Sequence, residues 1–162
     1  MAARVLVAGV GNLFLGDDGF GPEVVRHLAG TALPPGVRAV DYGIRGVHLA
    51  YDVLDGYDAL ILVDALPAAE EPPGTVTVLE VSAGAMTVPM TVPGGDFDPH
   101  GMNPVAVLST VERLGGTLPP TYVVGCAAAS VDEGIGLSER VGAAVPVAVE
   151  SIQALLAHLQ EA

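Results

Sequence analysis

The five residues Ala59-Leu60-Ile61-Leu62-Val63 are all apolar, and the run stops at Asp64. It is too short for a membrane span, and it lacks the polar alternation of a strand with one wet face. This is the pattern of a strand buried on both sides of a sheet. Such a sheet is the middle layer of an α/β protein, so this segment predicts helices above and below it. Arg4-Val5-Leu6-Val7-Ala8 is a second strand-like run, ending at Gly9-Val10-Gly11-Asn12.

The remaining segments extend the same plan. A helix is predicted to begin near Pro22, whose fixed φ suits a first helical turn, with Val24, Val25 and Leu28 facing the core. Val37 to Val40 reads as a strand stopping at Asp41-Tyr42-Gly43, and Val47 to Leu54 has helical spacing. Thr75 to Val81 follows Pro72-Pro73-Gly74 after a linker too short for a crossover helix, so that strand is expected to run antiparallel. Residues from Ser82 to Pro99 are rich in Gly, Pro, Met and Thr, and read as a long functional loop with a strand at Met86 to Val92. Asn103-Pro104 opens a helix through Val105, Leu108 and Val111 that Gly115-Gly116 stops.

Thr121 to Gly125 is the last predicted strand, and Ser138 caps a final helix to about Gln160, which Pro146 should kink or divide. The expectation is an α/β fold over residues 1–162: a single-domain three-layer α/β/α sandwich with a mostly parallel five-stranded twisted sheet and one antiparallel strand.

Charge narrows the partners. There are 6 basic residues, all arginine, against 19 acidic ones, for a formal net charge of -13. A surface of that sign repels phosphate backbones and anionic lipids, which excludes nucleic acid and membrane as expected partners. Cys126 is the only cysteine, so an internal disulfide and any cysteine-rich metal cage are ruled out. With no basic leader ahead of the first strand, a cytoplasmic protein is expected. A monomer is the default, because nothing in the pattern demands an interface.

In open α/β sheets ligands bind outside the carboxyl ends of the strands. That rule selects the loops carrying Asp17 and Asp18, Asp41, and Asp64. Gly9-Val10-Gly11 invites a dinucleotide reading, but Phe14 stands where the third glycine belongs, and two carboxylates sit where a pyrophosphate would lie. Asp17 is accounted for by the positive end of the following helix. Asp18 and Asp64 are brought to the same edge, where a bound cation would relieve their repulsion. His100, in Asp98-Pro99-His100-Gly101-Met102-Asn103, is the best third ligand, making two carboxylates and an imidazole able to hold a divalent metal with positions open. His27, His48 and His158 fall on presumed helices and fit surface roles. There is no G-x-S-x-G elbow and no H-E-x-x-H pair, and Cys126 reads as a buried small hydrophobe.

Val7-Ala8-Gly9-Val10-Gly11-Asn12-Leu13 followed by Gly16-Asp17-Asp18-Gly19-Phe20-Gly21 resembles the opening of the nickel-iron hydrogenase maturation endopeptidases. The resemblance continues in order through Asp41-Tyr42-Gly43-Ile44-Arg45-Gly46, Leu60 to Ala65, His100 and Gly136-Leu137-Ser138, and covers essentially the whole chain. It implies that Asp18, Asp64 and His100 are the catalytic, nickel-contacting set. It further implies an endopeptidase acting on the [NiFe] hydrogenase large-subunit precursor. The C-terminal extension would be removed once the metals are inserted, with nickel supplied by the substrate and another divalent metal able to occupy the site in vitro.

The loop Asp41, Gly43, Arg45 and Gly46 is expected to bind substrate, and it departs from the family pattern: Ile44 replaces a threonine and Arg45 adds a charge. Gly101 replaces the glutamate or glutamine that commonly follows the histidine. Which group activates water stays open. A proteolytically silent nickel-binding protein and a metal-dependent hydrolase of small molecules are the competing readings.

Overall fold

The computed structural model describes residues 3–66, 70–81 and 111–161. Strand β1 (Val5–Val10) leads through a 3₁₀ turn (Gly16–Gly19) into helix α1 (Phe20–Ala29). Then come β2 (Val37–Gly43), α2 (Gly46–Val53), β3 (Ala59–Leu66), β4 (Val76–Val81), β5 (Thr121–Ala127) and α3 (Glu139–Glu161). The five strands form one sheet in the order β2-β1-β3-β5-β4. β1 pairs in parallel with β2 and β3, β3 pairs in parallel with β5, and β4 runs antiparallel to β5. The expected mostly parallel sheet with one antiparallel strand is therefore what the chain builds.

The apolar run that predicted a doubly covered strand lies in β3, where Ala59 to Ala65 are all buried. Side chains alternate between faces. Ala59, Ile61, Val63 and Ala65 join one core with Phe20, Val24, Val25 and Leu28 of α1 and the buried stripe of α3. Leu60 and Leu62 join the other core with Tyr42, with Leu49, Ala50 and Val53 of α2, and with Val111. Helices thus cover both faces, as the predicted sandwich requires.

Several boundaries differ from expectation. β3 does not stop at Asp64, because β5 continues alongside and pairs Asp64 with Gly125, Ala65 with Cys126 and Leu66 with Ala127. β2 likewise extends through Gly43, since β1 offers Gly9 as partner to Asp41 and Val10 to Gly43. α1 starts at Phe20, with Pro22 still in the first turn, where a missing N–H costs no intrahelical bond. Pro146 does not divide α3, which runs from Glu139 to Glu161 as one helix. The expected strand at Met86 to Val92 and the start of the helix at Asn103-Pro104 lie outside the described residues.

α3 is long and apolar enough to cross a membrane by composition alone. Val141, Ala144, Val145, Ala148, Ile152 and Leu156 are nevertheless buried against the sheet and α1. At its far end Gln160 holds Ala3: the Ala3 N–H donates to Oε1 at 2.9 Å, and Nε2 donates to the Ala3 carbonyl at 3.2 Å.

Two glycines let α1 lie directly on the sheet. A Cβ on Gly21 would stand 2.3 Å from the Val63 carbonyl oxygen and 2.4 Å from that of Val10. One on Gly9 would stand 2.6 Å from the Gly21 carbonyl oxygen. Gly9 therefore serves helix-on-strand contact rather than a pyrophosphate.

Candidate functional site

The carboxyl rim of the sheet is assembled from the ends of β1, β2 and β3. Beyond β1 the chain turns at Gly11, whose φ of 140° is left-handed territory, and a Cβ there would stand 1.9 Å from the Asp18 carbonyl oxygen. Asn12 follows, its N–H donating to Asp18 Oδ2 at 2.8 Å and its side-chain oxygen accepting from the Phe14 N–H at 2.9 Å. The 3₁₀ turn then places Asp17 and Asp18 side by side, 1% and 5% exposed.

The two aspartates do different work. The carboxylate of Asp17 points toward the segment between β5 and α3, where the Ala129 and Ser130 N–H groups donate to Oδ2 at 2.8 and 3.1 Å. The Ser138 N–H donates to Oδ1 at 2.6 Å, and the Ser138 hydroxyl donates to Oδ2 at 2.9 Å. Burial pushes its pKa up, but the donors from Ser138, Ala129 and Ser130 outweigh burial and hold it below the ordinary carboxylate value. The Asp17 carboxylate thus joins two distant segments, a role beyond the helix-dipole effect expected for it. Ser138 stands just before α3, as expected of a cap, its carbonyl accepting from the Gly142 N–H at 2.8 Å, while its hydroxyl donates to Asp17.

Asp64 arrives from the opposite side. It is 8% exposed and shares a strand face with Leu60 and Leu62, one residue past the row in which Val63 pairs with Gly9. The 3₁₀ turn packs against β3, and Gly21 sits over the Val63 carbonyl. The carboxylates of Asp18 and Asp64 are therefore carried to one rim by separate elements. His100, the expected third ligand, lies outside the described residues; among the described residues no group of three metal-binding side chains occurs.

The Asp41 loop adjoins this rim through the Gly11 N–H, which donates to the Gly43 carbonyl at 2.9 Å. Asp41 Oδ1 accepts from the Gly43 N–H at 2.9 Å, and Gly43 takes a positive φ of 56°. Arg45 Nε donates to the Tyr42 carbonyl at 3.1 Å and its NH2 nitrogen to that of Asp41 at 2.7 Å, so the added guanidinium braces its own loop. Gly46 begins α2, and Ile44 and Val47 beside it are exposed. His27 and His48 lie on helices beside Glu23 and Asp52, at 3.2 and 3.7 Å, and His158 is exposed on α3, in keeping with surface roles.

A cavity of about 390 Å³ opens between α1, α3 and the loop that ends at Leu137. Neither Asp18 nor Asp64 lines it, so the carboxylate rim is a separate feature.

Cys126 is wholly buried in β5. Burial, and then the negative charge of Asp17, push its thiol from 9.0 up to about 11. It is therefore neutral at pH 8, the wrong state for a nucleophile. A water-soluble disulfide reagent at pH 8 should modify the native protein at least ~100-fold more slowly than the denatured chain, as follows from the lowered thiolate fraction. Equal rates would return the thiol to the list of candidate nucleophiles.

Residues 22–155 match a protein-family model described as hydrogenase maturation protease. The chain belongs to that family. This maturation protease is 32% identical over 154 residues to the hydrogenase 2 maturation protease of Escherichia coli K12, a match spanning 94% of this chain and 90% of that one. Its structure is similar to that of the hydrogenase maturating endopeptidase HybD from E. coli, with a TM-score of 0.80 at 30% identity over 96% of this chain and 93% of the other. The hydrogenase 2 maturation peptidase of a Thaumarchaeota archaeon gives 0.72 at 35% identity, covering 95% and 98%.

The feature of this maturation protease that its sequence hid is the link between Asp17 and Ser138. The two residues are 121 positions apart, and each had a sufficient local explanation. One signal was available: Gly136-Leu137-Ser138 belongs to the family pattern without bearing any metal-binding group.

Proposed function

We propose that this protein is the endopeptidase that removes the C-terminal extension of a nickel-loaded [NiFe] hydrogenase large-subunit precursor. Nickel in that precursor is the recognition element, contacted by Asp18, Asp64 and His100. One observation carries the reading: in a chain of the maturation protease family, two carboxylates withdrawn from solvent are delivered to one rim by separate elements. Concentrated negative charge of that kind favours a cation, and oxygen and imidazole donors suit a divalent one. Nickel arrives with the substrate and supplies a Lewis acid near the peptide to be cut. The chain's own carboxylates hold the metal-bearing end of the precursor and are the groups at the rim able to accept a proton from water.

The neighbouring loop of Asp41, Gly43, Arg45 and Gly46 selects the partner, its shape fixed by the bonds of Arg45 to loop carbonyls. The protein works as a cytoplasmic monomer, and its net charge of -13 disfavours nucleic acid and anionic membrane as partners.

The test mixes the protein with an unprocessed large subunit, loaded or unloaded with nickel, and follows the substrate by mass spectrometry. Loss of a short C-terminal peptide is expected from the loaded form only. An unchanged mass in both would leave a docking protein without peptidase activity; equal cutting of both would remove nickel from the account.

A further inference from the structure

We propose that Asp17 is a positioning residue that fixes the carboxylate of Asp18, by clamping the turn that carries both aspartates to the segment between β5 and α3; the proposal rests on the reading of Asp18 given above. The clamp has backbone and side-chain parts. Gly16 donates its N–H to the Gly134 carbonyl at 2.8 Å, Asp17 donates to Ser130 at 2.9 Å, and Gly134 donates back to Phe14 at 2.8 Å. The Asp17 carboxylate then gathers the N–H groups of Ala129, Ser130 and Ser138 and the Ser138 hydroxyl. A carboxylate has about four lone-pair sites, so these donors fill it. At 1% exposure, with its lone pairs taken up by these donors, it has no surface to offer a substrate.

The other side of the turn meets the end of β1. The Asp18 carbonyl occupies the space that a side chain on Gly11 would need, and Asp18 Oδ2 accepts from the Asn12 N–H at 2.8 Å. The turn is thus held between two walls, one gripping Asp17 and one touching Asp18. The turn is only four residues long and Asp17 and Asp18 are adjacent in it, so movement at the first wall is transmitted to the second. Asparagine in place of Asp17 keeps the size but turns an NH₂ toward N–H groups, so at least one donor loses its acceptor and the turn must shift. Misplacement of a reacting group by about 1 Å costs on the order of 100-fold in rate.

Asp17→Asn is therefore expected to keep slowly exchanging amides in β1 and β5, to shift the NMR resonance of the Asn12 amide, and to lower kcat on the nickel-loaded precursor by about 100-fold with KM little changed. Ser138→Ala should give a smaller change in the same two readouts, and Ser138→Thr, which retains the hydroxyl, should restore them. An Asn12 resonance unmoved in Asp17→Asn, or an unchanged kcat, overturns the proposal. If Asp17→Asn does not fold, the Ser138 pair decides by the same readouts. If the wild-type protein cuts no precursor, the protease reading fails, and the Asn12 resonance alone decides whether Asp17 positions Asp18.

Discussion

Asp18→Asn protein, offered a nickel-loaded precursor, is expected to leave it uncut, with a fall in kcat/KM of roughly 10²–10³-fold or more. The change is nearly isosteric, and the Asn12 N–H retains an acceptor if the amide oxygen takes the place of Oδ2. The fold should therefore survive, with a Tm near that of the wild type. What disappears is a negative charge at a rim where the proposed chemistry depends on gathering a cation. Asp64→Asn should behave in the same way, and the double variant should lose little more than either single one, because groups acting on one ion fail as a unit. Normal processing by Asp18→Asn would break the assignment of this rim as the nickel contact.

The second large effect is on stability. Gly21→Ala adds a single methyl group, at a place where it would lie 2.3 Å from one strand carbonyl and 2.4 Å from another. Backbone atoms on both sides leave no flexible side chain to give way, so α1 must lift from the sheet. Overpacking of this kind costs about 3 kcal/mol, corresponding to a Tm lower by about 6–12 °C for a chain of this size. Calorimetry reads this directly. Because the 3₁₀ turn leads into α1, precursor cutting should fall as well, even at temperatures where the variant is fully folded. A Gly21→Ala protein with unchanged Tm would show that α1 does not need this closeness.

Much of the fold was legible because buried parallel strands leave a plain trace. The unbroken run from Ala59 to Val63 needs no partner to be recognised, and Asp64 stands out as the first polar residue after it. The short Pro72-Pro73-Gly74 linker likewise dictated the direction of β4, since a crossover helix could not fit. Strand ends were less legible: β3 continues past Asp64 only because β5 supplies partners to Leu66, and that pairing is non-local.

At the candidate site, the sequence pattern singled out Asp18 beyond the first strand and Asp64 near the end of another, and both are buried there. Asp17 was not, because the donors that define its role come from Ala129, Ser130 and Ser138, and their approach depends on the closed fold. Pro146 shows the reverse limit. A local rule predicted a kink or a division, while the continuous apolar stripe of α3 against the sheet keeps the helix in one piece.

The pairing of Ala3 with Gln160 has a practical consequence for anyone handling this molecule. Both ends of the described chain are latched beside the start of β1, whereas the aspartates lie past its finish, about 20 Å away for six residues of extended backbone. Affinity handles, dyes or a bead attached at either terminus would hang from the underside of the sheet. An immobilised copy would still have the rim that carries Asp18 and Asp64 turned away from its support.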